Sequence, residues 1–205
     1  MRARVAILFD GGFVTKKLTA SLGRFPQATD IRENLERIMR HPRMEGCELL
    51  RAFYYDAPPL RDVVTNPVDG SRYDFGSNPV HGRNQSLQDT LSTSADFAIR
   101  RGEIVFRGWT VRAHALKTLI EERRTLAASD LGPEVEQKGV DLRIGLDVAT
   151  LATKRVVETI VLVTGDSDLV PAMKFARREG LKVYLDTLGH GVRRAMREHA
   201  DLVIG

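Results

Sequence analysis

The chain has 205 residues, 42% hydrophobic and 28% charged, which excludes a disordered tract and allows one sizeable core without disulfides. Its net charge of +4 and pI near 9.4 are compatible with a nucleic-acid partner but equally with a mildly basic globular protein. A single cysteine, Cys47, rules out an internal bridge and a cysteine-based zinc site and fits a reducing, cytoplasmic compartment. No apolar run approaches the roughly 20 residues of a membrane span, and Met1 to Phe9 is too short for a signal peptide; no membrane partner is expected.

In chain order, Val5 to Phe9 is a continuous apolar run closed by Asp10-Gly11-Gly12. It reads as a strand buried on both faces, with the two glycines giving a sharp exit. Asp30, Glu33 and the stripe Ile31, Leu35, Ile38 predict a helix over 30–40, stopped by Pro42. Glu48 to Tyr55 is a second strand. Residues 57–86, rich in Pro, Gly, Asn, Asp and Ser, predict a long irregular loop, followed by a weak helical segment over 87–101. A third strand is predicted over 104–112, a helix over 116–126 and a connector over 127–138. Beyond it come a helix at 141–153, a buried strand at 159–164, a helix at 168–178, a strand at 182–185, a short helix at 190–199 and a last strand at 202–204. This alternation predicts an α/β fold with a parallel sheet, and the whole of 1–205 reads as a single domain.

Acids gather at the predicted strand ends. Asp10 closes the first strand, and Asp166 and Asp168 follow the strand 159–164. Ligands of open parallel sheets bind beyond such ends, where strand order reverses. Carboxylates crowded there repel one another, and a hard divalent cation, Mg²⁺ or Mn²⁺, relieves the repulsion through oxygen ligands. Each acid also has a plainer reading: Asp168 as a helix N-cap, Asp10 as a turn residue. Asp141 and Asp147 flank the apolar stripe of their helix about 120° apart at 100° per residue, so both cannot face one spot. Asp141, placed at the cap, is the stronger ligand. Asp147 is either a further metal-site acid or a boundary residue with a local partner.

The segments Ile7-Leu8-Phe9-Asp10-Gly11-Gly12, Lys138-Gly139-Val140-Asp141 with Asp147, and Val163 to Pro171 resemble the three motifs of NYN domains, in the PIN-like nuclease superfamily. The LabA-like (DUF88) branch is the most similar, and Tyr54 to Pro58 resembles the end of its second strand. The resemblance spans nearly the whole chain, only loosely over 60–135. It implies a Rossmann-like, three-layer PIN-type fold and a metal-dependent ribonuclease centre in which Asp10, Asp141, Asp166 and Asp168 hold Mg²⁺ or Mn²⁺. Phe13 stands where many NYN domains have Asn.

The expected substrate is RNA. Gly11, Thr164, Ser167, Lys138 and Arg107 are the candidate substrate contacts, although turn hydrogen bonding accounts equally for Thr164 and Ser167, and a solvated surface position for Lys138. Arg107 and Trp109 share a strand face by period two, with Arg112 on the other, and Arg61, Arg72 and Arg83 lie in the long loop. Two other classes compete. A haloacid-dehalogenase phosphatase needs a second acid two residues after the first, where this chain has Gly12. A non-catalytic regulator would keep the fold and bind RNA or protein. An exposed sheet edge or the 190–205 tail offers a homodimer surface.

Overall fold

The computed structural model describes residues 2–205. The first strand, β1 (Arg4–Asp10), is buried from Val5 onward. Helix α1 (Gly11–Leu22) begins at once, where the glycines predicted only a bend. The Asp10 carboxylate caps it by accepting from Phe13 N at 3.1 Å, and Val14 and Leu18 bury one face. Tertiary packing here overrides the low helix propensity of glycine.

Gly11 is needed sterically. A Cβ on it would sit 2.6 Å from the Tyr55 carbonyl oxygen and 2.9 Å from Asp56 Cβ, whereas one on Gly12 would meet nothing closer than 3.6 Å. Gly11→Ala is therefore expected to destabilise by about 3 kcal/mol through overpacking. Gly12→Ala should be neutral or stabilise by up to about 1 kcal/mol through helix propensity. Urea midpoints of the two variants check the pair; equal midpoints would contradict it.

Helix α2 (Ala28–Met39) starts two residues earlier than predicted. Asp30 is its third residue and not its cap: it accepts from Gln27 N at 2.6 Å and from both Arg24 terminal nitrogens at 2.7 Å. Strand β2 (Glu48–Asp56) follows. The expected irregular loop at 57–86 instead contains a short hairpin, β3 (Val63–Thr65) with β4 (Arg72–Asp74), and the first half of α3 (Pro79–Ser92), capped by Asn78. The predicted helical stretch 87–101 divides, because Asp96 takes a positive φ of 68° and turns Phe97 to Arg101 into the strand β5.

Strands β6 (Glu103–Val111) and β7 (Leu131–Lys138) pair antiparallel outside the main sheet, joined through α4 (Ala113–Glu122). Residues 131–138, predicted as connector, carry little apolar periodicity because most of the strand is exposed. Then come α5 (Val140–Thr153), β8 (Thr159–Val163), α6 (Val170–Arg178), β9 (Lys182–Asp186), α7 (Arg194–Glu198) and β10 (Leu202–Ile204).

The main sheet has six strands in the order β10-β9-β8-β1-β2-β5, all parallel. One core packs on each face: Val14, Ile31, Leu35 and Leu91 on one side, Ile144, Val148, Met173 and Ala176 on the other. The result is a three-layer α/β fold. Successive strands run outward from β1 to β5, and the chain then returns to β8 on the far side of β1. Strand order therefore reverses between β1 and β8, the position at which such sheets form a ligand crevice. Among the described residues, no helix is long and apolar enough to cross a membrane.

Candidate active site

Adjacent parallel strands bring the ends of the chain's two acidic motifs together. Phe9 pairs in register with Val163, so Asp10 lies beside Thr164. Thr164 Oγ1 donates to Asp10 Oδ2 at 2.8 Å and accepts from Asp166 N at 3.1 Å. One buried hydroxyl thus ties the Asp10 carboxylate to the backbone amide of Asp166, 156 positions away in sequence. Asp166 Oδ1 in turn accepts from Asp168 N at 2.9 Å. The capping role anticipated for Asp168 is filled by Asp166, whose extended backbone precedes the short 3₁₀ turn Ser167–Leu169. The Asp168 side chain is left exposed, with no hydrogen bond among the described residues.

Asp141 is the second residue of α5, inside regular helix. Gly139, at φ 74°, takes the cap position expected for the acid. The α5 N-terminus still aims at the crevice: the Asp141 carboxyl is held above its ordinary value by burial and then by the charges of Asp166, Asp10 and Asp168. Asp10 is raised mainly by burial, against the lowering effects of the Phe13 amide and the Thr164 hydroxyl, with Asp166 adding to the rise. The four acids named from sequence therefore share one electrostatic neighbourhood at the carboxyl edge of β1 and β8.

Asp147 does not join them. Its Oδ2 accepts from the Tyr55 hydroxyl and from Arg100 Nε, each at 2.8 Å, and Arg100 in turn lies over the Phe53 ring, 4.9 Å from its centroid. This corrects the reading of Asp147 as a metal ligand: it is the boundary residue with local partners, clamping α5 to β2 and β5. Asp147→Ala is expected to cost about 2 kcal/mol by stranding two donors, with Mn²⁺ affinity unchanged. Calorimetric melting and Mn²⁺ titration check both halves, and a lost metal affinity at unchanged stability would contradict it.

Two substrate candidates are corrected as well. Gly11 is buried beneath Tyr54, Tyr55 and Asp56 and has no surface to offer a substrate. Arg107 Nε is paired with Glu136 Oε2 across the hairpin at 2.5 Å. A bulge between Phe106 and Gly108 breaks the period-two relation that put Arg107 and Trp109 on one face. Trp109 packs edge-on to Tyr73 and Phe106 instead. Ser167 Oγ accepts from an Arg193 terminal nitrogen at 3.0 Å, and Lys138 stands exposed with no ion-pair partner among the described residues.

Three participants escaped sequence reasoning. Asp56 ends β2 next to Asp10, and its carboxyl is pushed up to about 6, chiefly by burial, with Asp10 contributing. It could have been found by treating it like Asp10, as an acid closing an apolar strand. Gln137 Nε2 donates to Asp56 Oδ1 at 3.2 Å from the base of the β6–β7 hairpin; nothing in its exposed segment signalled this. Arg193 brings a cation to the Ser167 turn, again with no local signal. Phe13, in place of the usual Asn, lays its ring over Gly165: a Cβ there would be 2.6 Å from Phe13 Cε2.

Among the described residues, no three His, Cys, Asp or Glu side chains stand in a ready-made metal-holding arrangement. The donor chemistry nonetheless suits a hard cation. Every candidate is a carboxylate, the Asp141 and Asp168 side chains have no hydrogen-bond partner to give up, and burial, with the neighbouring acids adding to it, raises both Asp10 and Asp141.

A parallel sheet of order 3-2-1-4-5-6 with acids at its point of reversal defines a Rossmann-like domain of the PIN-like kind. The NYN domain family model matches residues 4–204, and the chain belongs to that family. A stretch of 103 residues is 29% identical to an uncharacterized protein, MJ0482, of Methanocaldococcus jannaschii, covering 50% of this chain and 42% of that one, so the match spans less than half of the relative's length. The fold is similar to the crystal structure of a protein of unknown function, VPA0982, from Vibrio parahaemolyticus, with a TM-score of 0.54 and 14% identity over 99% of this chain and 92% of that one.

Proposed function

We propose that the protein is a metal-dependent ribonuclease that hydrolyses RNA phosphodiester bonds at the edge of β1 and β8, with Asp10, Asp141, Asp166 and Asp168 holding Mg²⁺ or Mn²⁺. The carrying observation is the Thr164 hydroxyl that joins the Asp10 carboxylate to the Asp166 backbone amide, since it sets residues 156 positions apart side by side. Membership of the NYN family supports the nuclease class.

When bound, the cation would draw in the scissile phosphate and offset the charge that builds on its oxygens. The chain's own residues supply the rest. Thr164 and the Phe13 amide fix the Asp10 carboxylate, while the Asp168 amide fixes Asp166. The N-termini of α1 and α5 favour anions at this edge. Lys138 and Arg193 place cations at the rim for flanking phosphates, and Phe13 screens one side of the crevice from water.

Cleavage of a mixed-sequence, end-labelled RNA in Mn²⁺ tests the proposal. Cleavage that stops on chelation and returns with Mn²⁺ or Mg²⁺ is expected. Cleavage indifferent to chelator would overturn the mechanism. Tight RNA binding with no cleavage under any metal would favour a non-catalytic regulator.

A further inference from the structure

A second recess lies beside the acids, between the β6–β7 hairpin and α3. It is a cleft of about 190 Å³ with apolar walls that include Phe75, Val80, Ile104 and Val135. That is below the roughly 300–1,000 Å³ of sites for drug-sized ligands, so it suits a single ring system. Two polar side chains enter it with capacity to spare. His81 Nε2 is shielded from solvent and has no partner among the described residues. Asn84 uses its oxygen to accept from Gln88 Nε2 at 3.1 Å, which leaves its amide nitrogen undirected. A shielded polar atom without a partner, as at His81, is rare in folded proteins, and an apolar recess edged by it and by the Asn84 amide fits a ligand with a flat apolar body and a hydrogen-bonding rim.

The position of the cleft says what that ligand is attached to. Ile104 pairs in register with Gln137, whose side chain reaches Asp56 at the acidic edge, and Val135 lies two residues further along the same face of β7. Two strand residues are about 7 Å, the scale of one nucleotide step. A neighbouring depression shares Pro59, Leu60 and Ile104 with the cleft and is bordered by Glu103 and by Arg61, a cation with no ion pair among the described residues. Apolar slot, free hydrogen-bonding edge, adjacent cation and neighbouring acids form a series that matches base, base edge, phosphate and scissile bond.

We propose that this cleft binds one unpaired nucleobase of the RNA strand being cut, with His81 and Asn84 reading its edge and Arg61 holding the adjoining phosphate. This rests on the ribonuclease reading and adds a base preference to it. Phe75 is braced for such a role: its ring meets those of Tyr73 at 4.9 Å and Phe106 at 6.0 Å edge-on, so the wall is already ordered.

The test measures binding of fluorescently labelled eight-nucleotide oligomers of A, U or C by the full chain carrying Asp166→Asn to prevent turnover, in Mg²⁺. Two further variants are built on it. One is His81→Ala with Asn84→Ala, where Gln88 keeps its bond to the Ala57 carbonyl oxygen. The other is Val135→Trp, which fills the cleft from a residue that is 47% exposed and so tolerates enlargement. The parent should favour one oligomer by fivefold or more, and both variants should bind all three about equally at unchanged melting temperature. A parent with no preference, variants that keep the parental preference, or no RNA binding at all would each overturn the proposal. Metal-dependent cleavage of mixed-sequence RNA by the unmodified chain, scored alongside, separates the two readings. Cleavage without base preference removes only the cleft, whereas absence of both cleavage and binding removes the nuclease reading with it.

Discussion

Replacing Asp166 or Asp10 by Asn should lower RNA cleavage by about 10²–10³-fold or more, the usual cost of removing one well-placed electrostatic group from an active site, without unfolding the protein. The structure explains why the fold survives. An asparagine oxygen at position 10 can still accept from the Phe13 amide, and the Thr164 hydroxyl can rotate to accept from the new amide nitrogen. At position 166 the oxygen can still accept from the Asp168 amide. What changes is charge: one fewer anion in a cluster where Asp10 and Asp141 are already raised by burial and, to a lesser degree, by neighbouring acids. In metal-free buffer the variants should therefore melt at the same temperature as the parent or higher, and Mn²⁺ should raise their melting temperature less. Single-turnover cleavage and melting with and without Mn²⁺ measure both effects. A variant that keeps the parental rate, or loses its fold, would contradict this division of roles.

The second large effect is pH dependence without metal. Asp56 is displaced from 3.8 to about 6, so between those values the folded protein holds a proton that the unfolded chain has released. Stability is then greatest at acid pH in this window and falls as pH rises, because the unfolded state binds fewer protons. A displacement of this size corresponds to about 3 kcal/mol lost between roughly pH 4 and pH 6. Asp10 and Asp141 act in the same direction. The depressed carboxyls run the opposite way but lower on the scale: Asp130, held at about 2 by Arg124, and Asp30, lowered by Arg24, lose their contributions only as pH falls below the ordinary carboxylate range. Urea unfolding in chelator should accordingly show stability declining from pH 4 to 6.5, Asp56→Asn should remove most of the slope, and Mn²⁺ should flatten it by neutralising the same edge. A slope unaltered in the Asp56→Asn variant would assign the effect elsewhere.

Much of this architecture can be read from residue pattern. Buried parallel strands have to be apolar along their whole length, so Val5 to Phe9 and Thr159 to Val163 stand out, and the acids that close them mark the carboxyl edge. Strand adjacency is different. Nothing local says that β1 lies between β2 and β8, and only that neighbourhood turns Asp10 and Asp166 into partners. Legibility fails where packing overrides propensity, as with the helix begun by Gly11 and Gly12 on an Asp10 cap. It also fails where strands are exposed on a projecting hairpin, as with β7, whose Glu134, Glu136 and Gln137 read as connector. Asp147 illustrates a third limit. The helical wheel separates it from Asp141, but Tyr55 and Arg100, which decide its role, come from two other strands.

Crystals soaked in Mn²⁺ and measured at a wavelength sensitive to manganese would show whether the four aspartates hold a cation. An anomalous peak enclosed by Asp10, Asp141, Asp166 and Asp168 is expected, with carboxylate oxygens about 2.0–2.3 Å away and the Thr164 link between Asp10 and Asp166 intact. No peak at this edge at saturating Mn²⁺, with those carboxylates turned to arginine or lysine partners, would contradict it.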